Sequence, residues 1–266
     1  MIKFKKSLGQ NFLIDKNIVK KIILLSAIEK KNIVEIGPGS GNLSLEILKK
    51  NPKSFIAIEK DENLIKILEG KISKKKNIKI IKEDILNIDL NRIIQKDSTI
   101  FGNLPYNISS QILVKFIKLK NWPPKFNKII FMFQREVGEK IIANVNSKNY
   151  SRLSIITKSR LKVLNYFYVS KNSFFPRPKV DSMVIEFEPI KAKNLILKSL
   201  DSLEFITKIF FSGKRKMINK AFKKIKINFD PIIKELKIDL KLRPERLDEK
   251  IYFKIAQFYE EMSGKN

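Results

Sequence analysis

The stretch "VEIGPGSGNLS", residues 34–44, decides how the chain reads. A β-branched run that starts at Asn32 stops at Ile36. Gly37, Gly39 and Gly41 follow at alternate positions, and "NLSLEILKK" then takes up helical spacing. Glycine lets the backbone turn sharply and approach a ligand closely, and a helix N-terminus offers free amides to a carboxylate or phosphate. A tight turn that serves no ligand reads equally well from these residues alone, so their surroundings have to decide.

Outward from the loop, short β-branched runs alternate with helical ones. "NIVEI" (32–36), "SFIAIE" (54–59), "NIKIIKED" (77–84), "STIFGN" (98–103) and "KIIFMF" (128–133) read as strands. "NLSLEILKK", "DENLIKILEGKISKKK" and "SSQILVKFIKL" lie between them with helical periodicity. This alternation predicts an α/β fold, a parallel sheet with helices on both faces. Before it, "IDKNIVKKIILLSAI" reads as a helix capped by Asp15. After it, "LKVLNYFYV" and "SMVIEFEP" flank "FFPRPKVD" as a closing strand pair. Beyond about residue 190 only helical patterns remain, so residues 1–190 are expected to form the sheet domain and 191–266 a small all-helical domain.

The chain has 266 residues and a formal charge of +28 from 55 basic and 27 acidic side chains, which points to a polyanionic partner. Eight of the basic residues are Arg and the rest Lys, so a compositional bias toward Lys, Ile and Asn is the other reading of the excess. Cys and His are absent, which excludes a disulfide framework, a Cys nucleophile, a Ser-His-Asp triad and a Cys/His zinc site. The opening "MIKFKKSLGQNF" is basic without an apolar core of signal-peptide length, and "IILLSAI" (22–28) is too short to span a bilayer. A soluble cytoplasmic protein with no membrane partner is the expectation.

The spacing of the loop, G-x-G-x-G and not G-x-G-x-x-G, disfavours NAD and suits S-adenosylmethionine, whose ligand end is an amino acid. Glu59 closes the second strand, where an acid can meet ribose hydroxyls. Asp84 closes the third and can accept from an adenine amino group. Singly each reads as a solvated strand end. Together they set a glycine loop and two acids at the carboxyl ends of successive strands, where ligands of open α/β sheets sit.

The fourth strand ends in "NLPY", residues 103–106, at the same edge. An exocyclic amine on a base is a poor nucleophile because its lone pair is delocalised into the ring. Two acceptors, the Asn103 side-chain oxygen and a backbone carbonyl near Pro105, favour a pyramidal nitrogen whose lone pair points at a methyl donor. Proline restricts that backbone. Tyr106 offers a flat face to an extruded base. In isolation an Asn-Pro turn with a half-buried Tyr reads as well.

In sequence order, "LGQNFL", "VEIGPGSGNLS", "IEKD", "EDIL", "GNLPYNIS" and "FFPRPKVDSMV" together resemble the KsgA/RsmA family of ribosomal RNA adenine dimethyltransferases over nearly the whole chain. The resemblance implies a Rossmann-like methyltransferase domain using S-adenosylmethionine, with no metal. It implies transfer of four methyl groups to the N6 atoms of two adjacent adenosines near the 3′ end of 16S, small-subunit, ribosomal RNA, with the immature small subunit as partner and the enzyme a monomer. It further assigns Asn11, Leu13, Gly37, Glu59, Asp84 and Asn103 to the cofactor pocket, and Phe174 to a second stacking face opposite Tyr106. Core packing is the other reading of Phe174, and Phe175 competes with it.

For RNA, "GKRKMINKAFKKIK" (213–226) sets Lys214, Arg215, Lys216, Lys220, Lys223 and Lys224 around an apolar stripe of Met217, Ile218, Ala221, Phe222 and Ile225. A solvated helix face is the bland reading. Lys3, Lys5, Lys6 and the run Lys74 to Lys76 are weaker candidates. Two rival functions share the pattern: an Erm-type enzyme acting on large-subunit rRNA, and an assembly factor whose methylation is secondary.

Overall fold

The computed structural model describes residues 11–72, 76–191, 197 and 200–264. Lys3, Lys5, Lys6, Lys74 and Lys75 lie outside them. A two-residue strand, β1 (Phe12–Leu13), leads into α1 (Lys16–Ile23). The Asp15 carboxylate caps this helix by accepting from the amides of Asn17 at 2.9 Å and Ile18 at 3.3 Å. The helix buries Val19, Ile22 and Ile23, its i, i+3, i+4 face.

The alternating segment then forms β2 (Asn32–Ile36), α2 (Asn42–Leu48), β3 (Ser54–Glu59), α3 (Glu62–Lys71), β4 (Ile78–Lys82), α4 (Leu90–Ile93), β5 (Ser98–Asn103), α5 (Ser109–Ile117) and β6 (Phe126–Gln134). It continues through α6 (Arg135–Ile142), α7 (Arg152–Arg160), β7 (Leu161–Val169), β8 (Phe174–Phe175) and β9 (Ser182–Pro189). Seven strands form one sheet in the order β4-β3-β2-β5-β6-β9-β7, and β1 pairs with β8 apart from it. From β4 to β6 neighbours are parallel, whereas β9 runs antiparallel to β6, so the expected parallel sheet is mixed at its far side. Five successive residues of β3, Phe55–Glu59, are buried, which requires cover on both faces of the sheet. Phe116 packs edge-on against Phe126 and Phe131 at 5.8 and 5.5 Å, and each buried side chain of this kind contributes about 1.5–3 kcal/mol.

β2 lies between β3 and β5, and the chain winds outward from it in both directions. Loops leaving the carboxyl ends of β2 and β5 therefore diverge and open a crevice between them.

The chain divides into two compact units, Met1–Gly138 with Lys162–Pro189, and Glu139–Leu161 with Ile190–Asn266. One boundary between the units falls between Pro189 and Ile190. Glu139–Leu161, placed by the sequence reading in the sheet domain, groups instead with the helical unit. Besides α7, that unit holds α8 (Asp201–Phe211), α9 (Asn219–Phe222), α10 (Asp230–Glu235) and α11 (Glu249–Met262). Side chains explain the grouping. The Tyr150 hydroxyl donates to Glu249 at 3.2 Å, and Lys158 pairs with the other carboxylate oxygen of Glu249 at 3.4 Å.

The basic segment 213–226 is not one continuous helix. Only Asn219–Phe222 is α-helical, because the amides of Ile218 and Asn219 donate to the carbonyls of Leu242 and Leu240 in place of the preceding turn. Ile218, Ala221, Phe222 and Ile225 are buried as expected, but Met217 falls outside the helical stripe and is exposed.

Candidate active site

At the carboxyl edge of the sheet a cleft of about 940 Å³, open mouth included, lies over β2 and its neighbours. Asn11, Leu13, Gly37, Glu59, Asp84, Asn103, Pro105 and Tyr106 all line it, with Glu35, Phe12, Ser40, Asn42 and Lys60. The glycine loop hugs this cleft. Gly39 has φ +57°, and a Cβ there would stand 2.9 Å from the ring of Phe12. Only glycine allows the backbone so close in that conformation.

The acids are held by backbone amides. Oε1 of Glu59 accepts from the amides of Lys60 and Asp61, both at 2.9 Å, and Oε2 from Gly39 at 3.4 Å. Burial nevertheless raises its pKa, against the pull of those amides. Asp84 lies two residues beyond the end of β4, where its Oδ1 accepts from Leu86 N–H at 2.9 Å and its Oδ2 stands 3.4 Å from Lys60 Nζ.

Glu35, inside β2, is buried on the cleft floor. Burial pushes its carboxyl up to about 8; the Ser44 hydroxyl, donating at 2.6 Å, opposes this, and the nearby Glu59 charge adds to it. At neutral pH the floor therefore holds a protonated carboxyl.

On the opposite wall, Asn103 ends β5. Its Nδ2 donates to the Asn11 carbonyl at 3.1 Å. A carbonyl only accepts, so this contact sets which way the amide faces and leaves Oδ1 for another donor. The Pro105 carbonyl closes a turn by accepting from Ile108 N–H at 3.2 Å. Tyr106 is half-buried, with its hydroxyl 2.6 Å from Ser182 Oγ, and burial raises its pKa.

The family model described as ribosomal RNA adenine dimethylase matches residues 1–261. This chain belongs to that family. "Ribosomal RNA small subunit methyltransferase A" of Pelagibacter ubique is 44% identical over 263 residues, 99% of each chain. Its namesake in Mycoplasmopsis synoviae is 43% identical over 230 residues, 84% of this chain and 85% of that one. A solved dimethyladenosine transferase from Plasmodium falciparum superposes with a TM-score of 0.79 at 28% identity, covering 95% of this chain and 98% of that one. The 23S rRNA methyltransferase ErmE has the same fold, with a TM-score of 0.66 at 21% identity over 92% and 99% of the two chains. This dimethylase thus has the class I methyltransferase fold that the resemblance implied, and S-adenosylmethionine is its methyl donor.

For this dimethylase, the sequence-derived cofactor and catalytic residues come together in one cleft, but Phe174 does not present an open face. Its side chain is 3% exposed and packs in the core with Leu13, its cross-strand partner, and Val184, whereas Phe175 is 56% exposed. Successive strand residues point to opposite faces, so pairing with β1 turns Phe174 inward and its neighbour outward. Lys214, Arg215, Lys216, Lys220, Lys223 and Lys224 are all exposed in the helical unit, with Lys214 Nζ donating to the Lys148 carbonyl at 3.1 Å. Sequence reasoning missed Glu35. Its signal was the lone acid in the apolar run "NIVEI", two residues ahead of the first glycine. Among the described residues, no group of three acidic side chains is placed to hold a metal ion, and no helix is long and apolar enough to cross a membrane.

Proposed function

We propose that this dimethylase methylates the N6 atoms of two adjacent adenosines near the 3′ end of small-subunit ribosomal RNA. It acts on the immature subunit, as a cytoplasmic monomer and without a metal. The relatives named for the small subunit favour this substrate over the large-subunit one. The observation that carries the chemistry is the Asn103 amide, clamped through Nδ2 with Oδ1 left open, in a cleft lined by acids.

The cleft suits S-adenosylmethionine. The close backbone of Gly37 and Gly39 and the carboxyl of Glu35 form the end for the amino-acid part. Glu59 keeps lone-pair capacity for ribose hydroxyls, and Asp84 accepts at the adenine end, with Asn11 and Leu13 closing the wall. When bound, the cofactor supplies a sulfonium-activated methyl group. Oδ1 of Asn103 accepts one N–H of the target amine. Because the Pro105 carbonyl is engaged in its own turn, the Leu104 carbonyl, in the peptide bond to Pro105, is the second acceptor. Two acceptors draw the hydrogens out of the base plane and leave the nitrogen lone pair directed into the cleft. Tyr106, held by Ser182, stacks on the base. Phe174 fills the second face only after leaving its core position.

The test is Asn103→Ala assayed with labelled S-adenosylmethionine and separately purified small and large subunits. Methyl transfer to small subunits should fall at least about a hundredfold while S-adenosylmethionine and subunit binding persist. Transfer at the wild-type rate, or transfer by the wild type to large subunits alone, overturns the proposal.

A further inference from the structure

β7 is the outermost strand of the sheet. Its side chains alternate between two faces. On one face Phe167 packs against the core with Lys21 Nζ 4.0 Å from its ring centre. On the other, Leu164, Tyr166 and Tyr168 are 39%, 47% and 51% exposed, with exposed Lys162 completing the row. Single exposed apolar side chains are ordinary, but three consecutive outward positions of one strand form a stripe.

The stripe leads to the active site. The Tyr166 and Tyr168 rings are 6.4 Å apart at 81°, and the Arg135 guanidinium lies 5.1 Å from the Tyr168 ring centre. Arg135 N–H donates to the Asp181 carbonyl at 2.9 Å, and the next residue, Ser182, holds the Tyr106 hydroxyl at 2.6 Å. A row of aromatic side chains with a cation at each end thus runs from the Tyr106 side of the cleft along the sheet edge. Lys162 pairs with half-buried Glu188 at 3.2 Å, a contact that water screens and a phosphate can displace.

We propose that this face of β7 is a stacking track for unpaired RNA nucleotides flanking the target adenosine, a reading that rests on the cleft being the target-base site. Proteins that hold single strands combine aromatic rings for the bases with cations for the backbone, and a chain of charge +28 favours a polyanion there. Tyr166 and Tyr168 stand about 6.6 Å apart along the strand, room for one base on each.

The test is the double variant Tyr166→Ala/Tyr168→Ala against undermethylated small ribosomal subunits, with Tyr166→Phe/Tyr168→Phe beside it. The alanine variant should raise KM and the subunit dissociation constant about tenfold or more, with kcat and S-adenosylmethionine affinity as in the wild type. The phenylalanine variant should match the wild type, since it keeps the rings. Equal KM in the alanine variant and wild type overturns the track. Equal impairment of the two variants also overturns it, assigning the effect to the hydroxyls. A changed oligomeric state with unchanged subunit affinity gives the stripe to a second copy of the chain. Failure of the underlying reading looks different, because the wild type itself then leaves small subunits unmethylated.

Discussion

Glu35→Gln isolates the cost of keeping a carboxyl on the cleft floor. The substitution is nearly isosteric, and the Ser44 hydroxyl, which donates to Glu35 at 2.6 Å, finds an amide oxygen in the same place. In the folded chain burial holds the Glu35 proton up to about pH 8, from an ordinary value of 4.5. The unfolded chain has already lost that proton above pH 4.5. Between these values the native state binds more protons, so stability falls as pH rises, and the loss levels off above pH 8. At 1.36 kcal/mol per pH unit the whole span is worth roughly 5 kcal/mol, and the part between pH 6 and 8 about 2 kcal/mol. Gln titrates nowhere in this range. The variant should therefore gain stability over the wild type by about 2 kcal/mol on going from pH 6 to 8, whatever constant offset its extra N–H introduces. Urea unfolding at fixed ionic strength, followed by the fluorescence of Trp122, reads this directly. Trp122 is the single tryptophan and lies in the same unit as Glu35, edge-on to Phe126. Parallel pH profiles for variant and wild type would show that Glu35 is not desolvated and would refute the reasoning.

Subunit binding should weaken linearly in log–log terms as salt rises, and Lys214→Ala, Lys216→Ala and Lys223→Ala should each flatten the slope by about 1. A slope unchanged in all three variants removes them from the RNA interface. Gly39→Ala, at φ +57° with its new Cβ 2.9 Å from the Phe12 ring, should lose roughly 1–2 kcal/mol of stability and much of the S-adenosylmethionine affinity. Gly70→Ala, in α3 with nothing within 4 Å of the new Cβ, should stabilise by about 0.5–1 kcal/mol. Equal melting temperatures for the two glycine variants would contradict the close approach at Gly39.

The sheet was legible because its signals are local. β2, β3 and β5 coincide with "NIVEI", "SFIAIE" and "STIFGN", since an apolar β-branched run bounded by polar or glycine residues carries its own ends. The positions of Gly37, Glu59 and Asn103 at the strand ends follow from those boundaries and from the rule that parallel strands end at one edge. Asp84 sits slightly past β4, and the cleft tolerates that displacement.

What the linear pattern left open depended on residues far apart in the chain. Glu35 became a protonated floor only through burial beneath the glycine loop, with Ser44 and Glu59 brought beside it. Phe174 turned inward because β8 pairs with β1, more than 150 residues earlier. Met217 was expelled because residues 218 and 219 bond to the 240–242 segment. Glu139–Leu161 left the sheet unit because Tyr150 and Lys158 meet Glu249. Sequence by itself determined the strand order of the chemistry, glycine loop, acids and "NLPY", along with the absence of His and Cys. Burial and pairing are set by which distant segments exclude water from a side chain, and only the tertiary structure decides that.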